Sequence, residues 1–201
     1  MKKKRSYRMR KRARSQEETR QRIVEATMQL HEELGPRATT ISAIAERAGV
    51  QRLTVYRHFP DESAVFRACT SHWLDLNPPP DPQLWESIAD PWNRLSAALS
   101  AFYDYYTATQ GMWAASYRDV DAVEALQKPM AEFASFVTGI AGDLAGSLRP
   151  GARKASSAAV TVRHALAFST WKNLQALGLK NSKKVELVTT WLSGEAQKLQ
   201  N

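Results

Sequence analysis

Between Thr39 and His58 the chain gathers side chains suited to gripping anions and flat polar edges rather than to breaking bonds. Arg52 and Arg57 carry forked guanidinium donors that match guanine, and the Gln51 amide offers the paired donor and acceptor that match adenine. Thr39, Thr40 and Tyr56 bring hydroxyls able to donate to phosphates, and a helix starting at Thr40 presents free backbone amides to the same anions. Thr54 and His58 lie on the same polar stretch as the arginines. Catalytic chemistry has no counterpart here. The chain has no nucleophilic Ser or Cys motif, no phosphate loop and no close pair of carboxylates. His31 and His72 lack partners at metal-binding spacing, so no metal, cofactor or catalytic residue is expected.

A second anion-seeking feature precedes these residues. Residues 1–14 contain nine basic side chains (Lys2, Lys3, Lys4, Arg5, Arg8, Arg10, Lys11, Arg12 and Arg14) and no acid. Residues 15–70 balance seven basic against eight acidic groups, and residues 71–201 hold twelve of each, so the net +8 resides in the arm. Like charges without an apolar face predict an arm that is disordered when free, with polyanions as partners, nucleic acid before an anionic membrane surface. It either tracks the minor groove and phosphates or is a solubilising tail.

The elements that must position these groups read as helices throughout. Ser15 and Glu18 form a capping-box pattern, followed by Ile23, Ala26, Leu30 and Leu34 at helical spacing up to Gly35-Pro36. Thr40 caps a short second helix with Ile41, Ile44, Ala45 and Ala48 inward, ending at Gly49. A third helix runs from near Gln51 to His58, and Asp61 caps a fourth to about Leu76. Two short helices joined by a glycine turn, the second polar and basic outside, describe a helix-turn-helix. Asn77-Pro78-Pro79-Pro80-Asp81-Pro82 bars helix continuation and marks the main boundary. Beyond it, Asp90-Pro91 opens a helix that Gly111 should end, Pro129 opens another that Pro150-Gly151 should close, and two more cover about 152–177 and 181–199. The expected fold is all-α. It comprises a basic arm (1–14), a helix-turn-helix domain (15–60), a connecting helix (61–76) and a larger helical bundle (83–201).

The stretches TRQRIV at 19–24, TTISAIAERAGV at 39–50 and TVYRHF at 54–59 resemble the N-terminal domain of the tetracycline-repressor (TetR) family. The resemblance covers about residues 16–70. It implies a ligand-responsive, dimeric transcription repressor of about nine helices. It also maps groove reading onto Arg52, Leu53, Thr54, Tyr56, Arg57 and His58, with Thr40 on phosphate. Two positions depart from the family pattern. Glu62 stands where a phosphate-contacting lysine is usual, and an acid there suits the helix dipole but repels DNA. Leu53 replaces a small residue and either meets a thymine methyl or crowds the groove.

The segment from residue 71 onward holds 14 of the 18 aromatic side chains. Core packing accounts for most of them, but an aromatic cavity with a few polar groups also describes a ligand pocket. Tyr103, Tyr106, Trp113, Tyr117, Arg118, His164 and Trp171 are the candidate lining. The near-neutral charge of this segment favours an apolar or aromatic effector. The small-residue stretch 155–170 and the apolar Val185, Val188, Trp191, Leu192 and Leu199 suit a four-helix interface between two copies, which the resemblance favours over an internal hairpin.

The leading expectation is therefore a homodimer that binds a palindromic operator and is released by a small effector. The alternative is a weakly specific DNA binder driven by the arm, with no small-molecule effector. A helical enzyme with a basic tail lacks a reactive motif, and a membrane-surface protein lacks a basic amphipathic helix beside the arm. No apolar run approaches the ~18 residues needed to span a bilayer, and no apolar stretch follows the basic start as in a secretory signal. With Cys69 as the single cysteine, a reducing, cytoplasmic setting is expected.

Overall fold

A computed structural model describes residues 2–148 and 157–198, with the backbone alone described at 2–6, 8 and 195–198. The described residues form ten α-helices, one 3-10 turn and no strand. They fall into two units, residues 1–78 with 114–129, and residues 79–113 with 130–201. The first unit takes in residues 114–129 as well as the chain up to residue 78, so the stretch after the proline run is divided between the two units.

In the first unit, α1 (Lys2–Glu33) is followed by a 3-10 turn (Pro36–Ala38), α2 (Ile41–Arg47), α3 (Arg52–His58) and α4 (Glu62–Leu76). Their shared core is Ile23, Leu30, Ile44, Val55, Phe59 and Val65 with smaller side chains between them. The expected caps form: Ala43 N donates to Thr40 Oγ1 at 3.2 Å and Ala64 N donates to Asp61 Oδ1 at 2.7 Å. The expected capping box does not. Ser15 lies inside α1, where its carbonyl accepts from Thr19 Oγ1 at 2.9 Å, and Glu18 pairs with Arg14 at 3.0 Å. The arm expected to be disordered is instead a continuation of α1 back to Lys2. Lys and Arg are good helix formers, and a helix already nucleated over the packed residues 23–30 extends at little cost.

The second unit contains α5 (Gln83–Glu86), α6 (Pro91–Asp119) up to residue 113, α7 (Glu124–Leu148) from residue 130, α8 (Ser157–Ala165), α9 (Phe168–Ala176) and α10 (Asn181–Lys198). The short α5 has no counterpart in the sequence reading. Asp90 caps α6 as expected, accepting from Asn93 N at 2.7 Å. Gly111 does not end α6. The helix bends at Thr109 (φ −118°, ψ 15°), whose hydroxyl donates to the Tyr105 carbonyl at 2.5 Å and so competes with the backbone ladder. Pro129 likewise does not open α7, which begins five residues earlier and keeps the proline inside it. The expected 152–177 helix is two, broken at 166–167, and the stop at Pro150-Gly151 lies outside the described residues, as do 152–156 and 199.

Candidate nucleic-acid interface

The geometry of α3 follows from two turns. Gly49, at φ 65°, takes the left-handed conformation that lets Val50 N reach Ala45 O at 2.9 Å and swings the chain from α2 into α3. At the far end, Phe59 N closes on Val55 O at 2.9 Å, and the Phe59 ring is buried under the Arg20 guanidinium, 4.4 Å away. Within α3 only Val55 is buried. Gln51, Arg52, Leu53, Tyr56 and Arg57 are exposed, and Thr54 and His58 are half-buried. Leu53 keeps 60% of its surface in water, an apolar group standing free on a polar face. Gln51 sits at the N-cap without using its side chain there, so its amide remains available.

Thr40 is exposed and accepts from Ala43 N, which leaves its own O–H free to donate. Thr39 is different. It is buried, and its hydroxyl donates to Gly35 O at 2.9 Å, so the expected phosphate contact by Thr39 gives way to a structural one. Glu62 opens α4 as an exposed first-turn acid, favourable to the helix and unfavourable to a nearby phosphate. The arm side chains Arg10, Lys11, Arg12 and Arg14 are exposed on α1, whereas Lys2, Lys3, Lys4, Arg5 and Arg8 lie outside the described side chains.

What holds the reading helices in place was invisible in sequence. Arg47 makes a two-pronged pair with Glu33 at 2.7 and 2.8 Å, tying α2 to α1. The turn before α2 is held by residues 118 and 119. Arg118 Nη2 donates to Leu34 O at 3.0 Å, Asp119 Oδ2 accepts from Arg37 N at 3.1 Å, and the two side chains bond each other at 2.9 Å. That pairing with Arg118, helped by the Arg37 amide, holds the Asp119 carboxyl below its usual range against the opposing effect of burial. Arg118, a candidate pocket residue, is thus already committed to the first unit.

The other pocket candidates separate by burial. Tyr103, Tyr106, Trp113 and Trp171 are buried in the second unit, while Tyr117 and His164 are exposed. Tyr103 and Tyr106 send their hydroxyls to Ala165 O and Leu166 O, each at 2.9 Å, where the backbone breaks between α8 and α9. Trp113 and Phe133 pack ring against ring at 4.3 Å, and Tyr106 meets Trp171 at 6.0 Å. The Trp171 indole N–H is buried without a hydrogen-bond partner. Over the same ring, at 5.1 Å, lies the ammonium of Lys184, a fully buried lysine bonded to Gln175 Oε1 and to Asn181 Oδ1. Burial lowers its pKa, with Asp104 opposing. Nothing in the sequence distinguishes Lys184 from the solvated Lys183 beside it.

Residues 1–78 therefore carry a helix-turn-helix with its second helix presented outward, the geometry of a DNA-reading unit. Residues 23–69 match the family described as "Bacterial regulatory proteins, tetR family". This segment is a tetR-family DNA-binding domain. Over 85 residues the chain is 38% identical to the HTH-type transcriptional regulator SrpR of Pseudomonas putida, an alignment spanning 39% of this chain and 40% of that protein. It is 36% identical over 85 residues to the HTH-type transcriptional regulator TtgW, also of Pseudomonas putida, spanning 39% and 63%. Less than two thirds of either relative is thus matched. A TetR-like transcriptional regulator from Rhodococcus sp. RHA1 superposes with a TM-score of 0.69 at 14% identity, covering 89% of this chain and 96% of its own. A TetR transcription regulator from Haloarcula marismortui gives 0.60 at 17% identity, covering 90% and 97%. At such identities the likeness is one of fold, and it extends beyond the DNA-reading segment. All four are named as regulators rather than enzymes. No described helix is long and apolar enough to cross a membrane.

Proposed function

We propose that the chain is a homodimeric transcriptional repressor that reads a palindromic operator and is released by a small apolar or aromatic effector. The observation that carries this reading is the outer face of α3, where Arg52 and Arg57 stand exposed while Val55 anchors the helix from behind. Arg52, Thr54 and Arg57 are assigned to sequence discrimination, and Thr40 and Tyr56 to phosphate-based affinity. Dimerisation is assigned to the last helices, where Val160 on α8 is 53% exposed and Trp191 on α10 is 47% exposed, large apolar groups left in water by one copy. The effector is assigned to the aromatic cluster around the α8–α9 break, where the unpartnered Trp171 N–H offers a donor.

Selection from random duplex DNA should return a two-fold symmetric site with half-sites one helical turn apart. On that site Arg52→Ala or Arg57→Ala should cost about 1–3 kcal/mol, and much less on random DNA. Equal losses on both would remove the arginines from base reading, and selection without a consensus would favour the arm-driven alternative. A panel of apolar and aromatic compounds should contain members that release the selected site, and Trp171→Phe should blunt that release while leaving operator affinity intact. Full release from the variant would move the effector away from Trp171.

A further inference from the structure

The α1 extension and α3 enclose a cleft of about 420 Å³, open to solvent. From α1 it is lined by Lys11, Arg12, Ser15, Gln16 and Thr19, and from α3 by Thr54 and His58. Lys11, Ser15 and Thr19 succeed one another four residues apart on one face of α1, and Thr54 and His58 are four apart on α3. No carboxylate lines it. Glu18 is turned to Arg14, where the pair stays exposed. Lys11, Arg12, Thr54 and His58 side chains make no hydrogen bond or ion pair within the described residues, so two helices bring unspent donors and cations to one place. The described part of this extension, residues 7 and 9–18, is exposed, so no packing offsets the mutual repulsion of its basic groups. A polyanion would.

We propose that this cleft is a backbone-phosphate seat for the DNA strand flanking the groove that α3 enters, an assignment that rests on the DNA-reading function proposed above. Lys11 and Arg12 act on that strand from a fixed helix, not as a flexible polycation. His58 faces the same phosphate from the other wall as a positioning contact, whereas Thr54, which also lines the cleft, keeps its base-reading assignment. The arm and the recognition helix then grip one strand from two sides. Affinity depends on the helical continuity of residues 11–19 as well as on charge.

Ser15→Pro separates helix from charge in the full chain. It keeps all nine basic residues of the arm but removes the amide that α1 needs at that turn and crowds the preceding carbonyl. The Ile23–Leu30 core lies beyond the change, so the thermal midpoint should hold while helical circular dichroism falls. Operator affinity should drop roughly tenfold at fixed salt, with the slope of log K against log salt reduced by less than in the charge-removing double variant K11A/R12A, which should lose about 0.9 per phosphate contact. On an operator carrying neutral methylphosphonates at the flanking positions, Ser15→Pro and K11A/R12A should lose their effect. Parent-like affinity of Ser15→Pro, or an unchanged penalty on the methylphosphonate duplex, overturns the seat. Absence of any preferred site for the parent chain overturns the DNA-reading function itself and is seen without the variants.

Discussion

Gly35→Ala is expected to destabilise the DNA-reading unit by about 1–3 kcal/mol, most of it backbone strain. Gly35 sits at φ 93°, ψ 156°, a region that residues with a Cβ scarcely enter. The new Cβ would also lie 1.7 Å from Arg118 Nη2 and 2.6 Å from Asp119 Oδ2. The exposed guanidinium can swing aside by giving up its bond to Leu34 O, but the buried Asp119 carboxylate must shift as well and loosen its bond from the Arg37 amide. Arg118→Ala isolates the guanidinium's part and should cost less than Gly35→Ala, because the guanidinium is exposed and the buried Asp119 carboxylate keeps the Arg37 amide. Urea unfolding of the parent and both variants checks the ordering. Gly35→Ala no worse than Arg118→Ala would show that the backbone at 35 carries no strain.

Acid is expected to weaken the same unit through His31, by as much as about 3 kcal/mol between pH 6.5 and 4. His31 is buried, with Nδ1 3.6 Å from Cys69 Sγ and the Phe66 ring 4.5 Å away. Its Nε2 has no partner, so an imidazolium there would hold a proton with nothing to accept it. Burial accordingly lowers its pKa to about 4, with the Asp119 carboxylate opposing the shift. An unfolded histidine takes up its proton at about 6.5. Across that window the unfolded chain binds a proton that the folded chain refuses. The contribution of neutral His31 is therefore complete above about pH 6.5 and drains away as pH falls toward 4. His31→Phe should unfold at a similar urea concentration at pH 7.5 and at a clearly higher one than the parent at pH 4.5. Parallel curves for the two proteins over this range would acquit His31.

The reading unit was legible because its instructions are local. Thr40 and Asp61 cap the helices that follow them, Gly49 makes the turn, and Ile41, Ile44 and Val55 repeat at helical spacing. Local signals misled wherever packing outweighed them. Gly111 and Pro129 punctuate sequence but sit inside α6 and α7, whose aromatic and aliphatic faces are buried on both sides of each residue. The Ser15–Glu18 pattern imitates a helix start because a capping box consists of two residue types that also occur within helices. Thr39 looked like a phosphate contact because its competitor, Gly35 O, though only four residues back, meets the hydroxyl only once the turn is bent. Pairings over long distances, such as residue 118 with residue 34 or Lys184 over Trp171, leave no trace that one sequence can reveal.

The first unit is not contiguous in the chain, and this bears on how such proteins can be recombined. The proline run invites a cut, and a fusion made there would carry the recognition helix to a new sensor body. It would also leave behind residues 114–129, with Arg118 and Asp119, and arrive with the Gly35 turn unlatched and the Arg37 amide open to solvent. A transplant that respects the molecule takes two pieces of sequence. The alternative is to choose a recipient whose own corresponding helix ends in an arginine–aspartate pair.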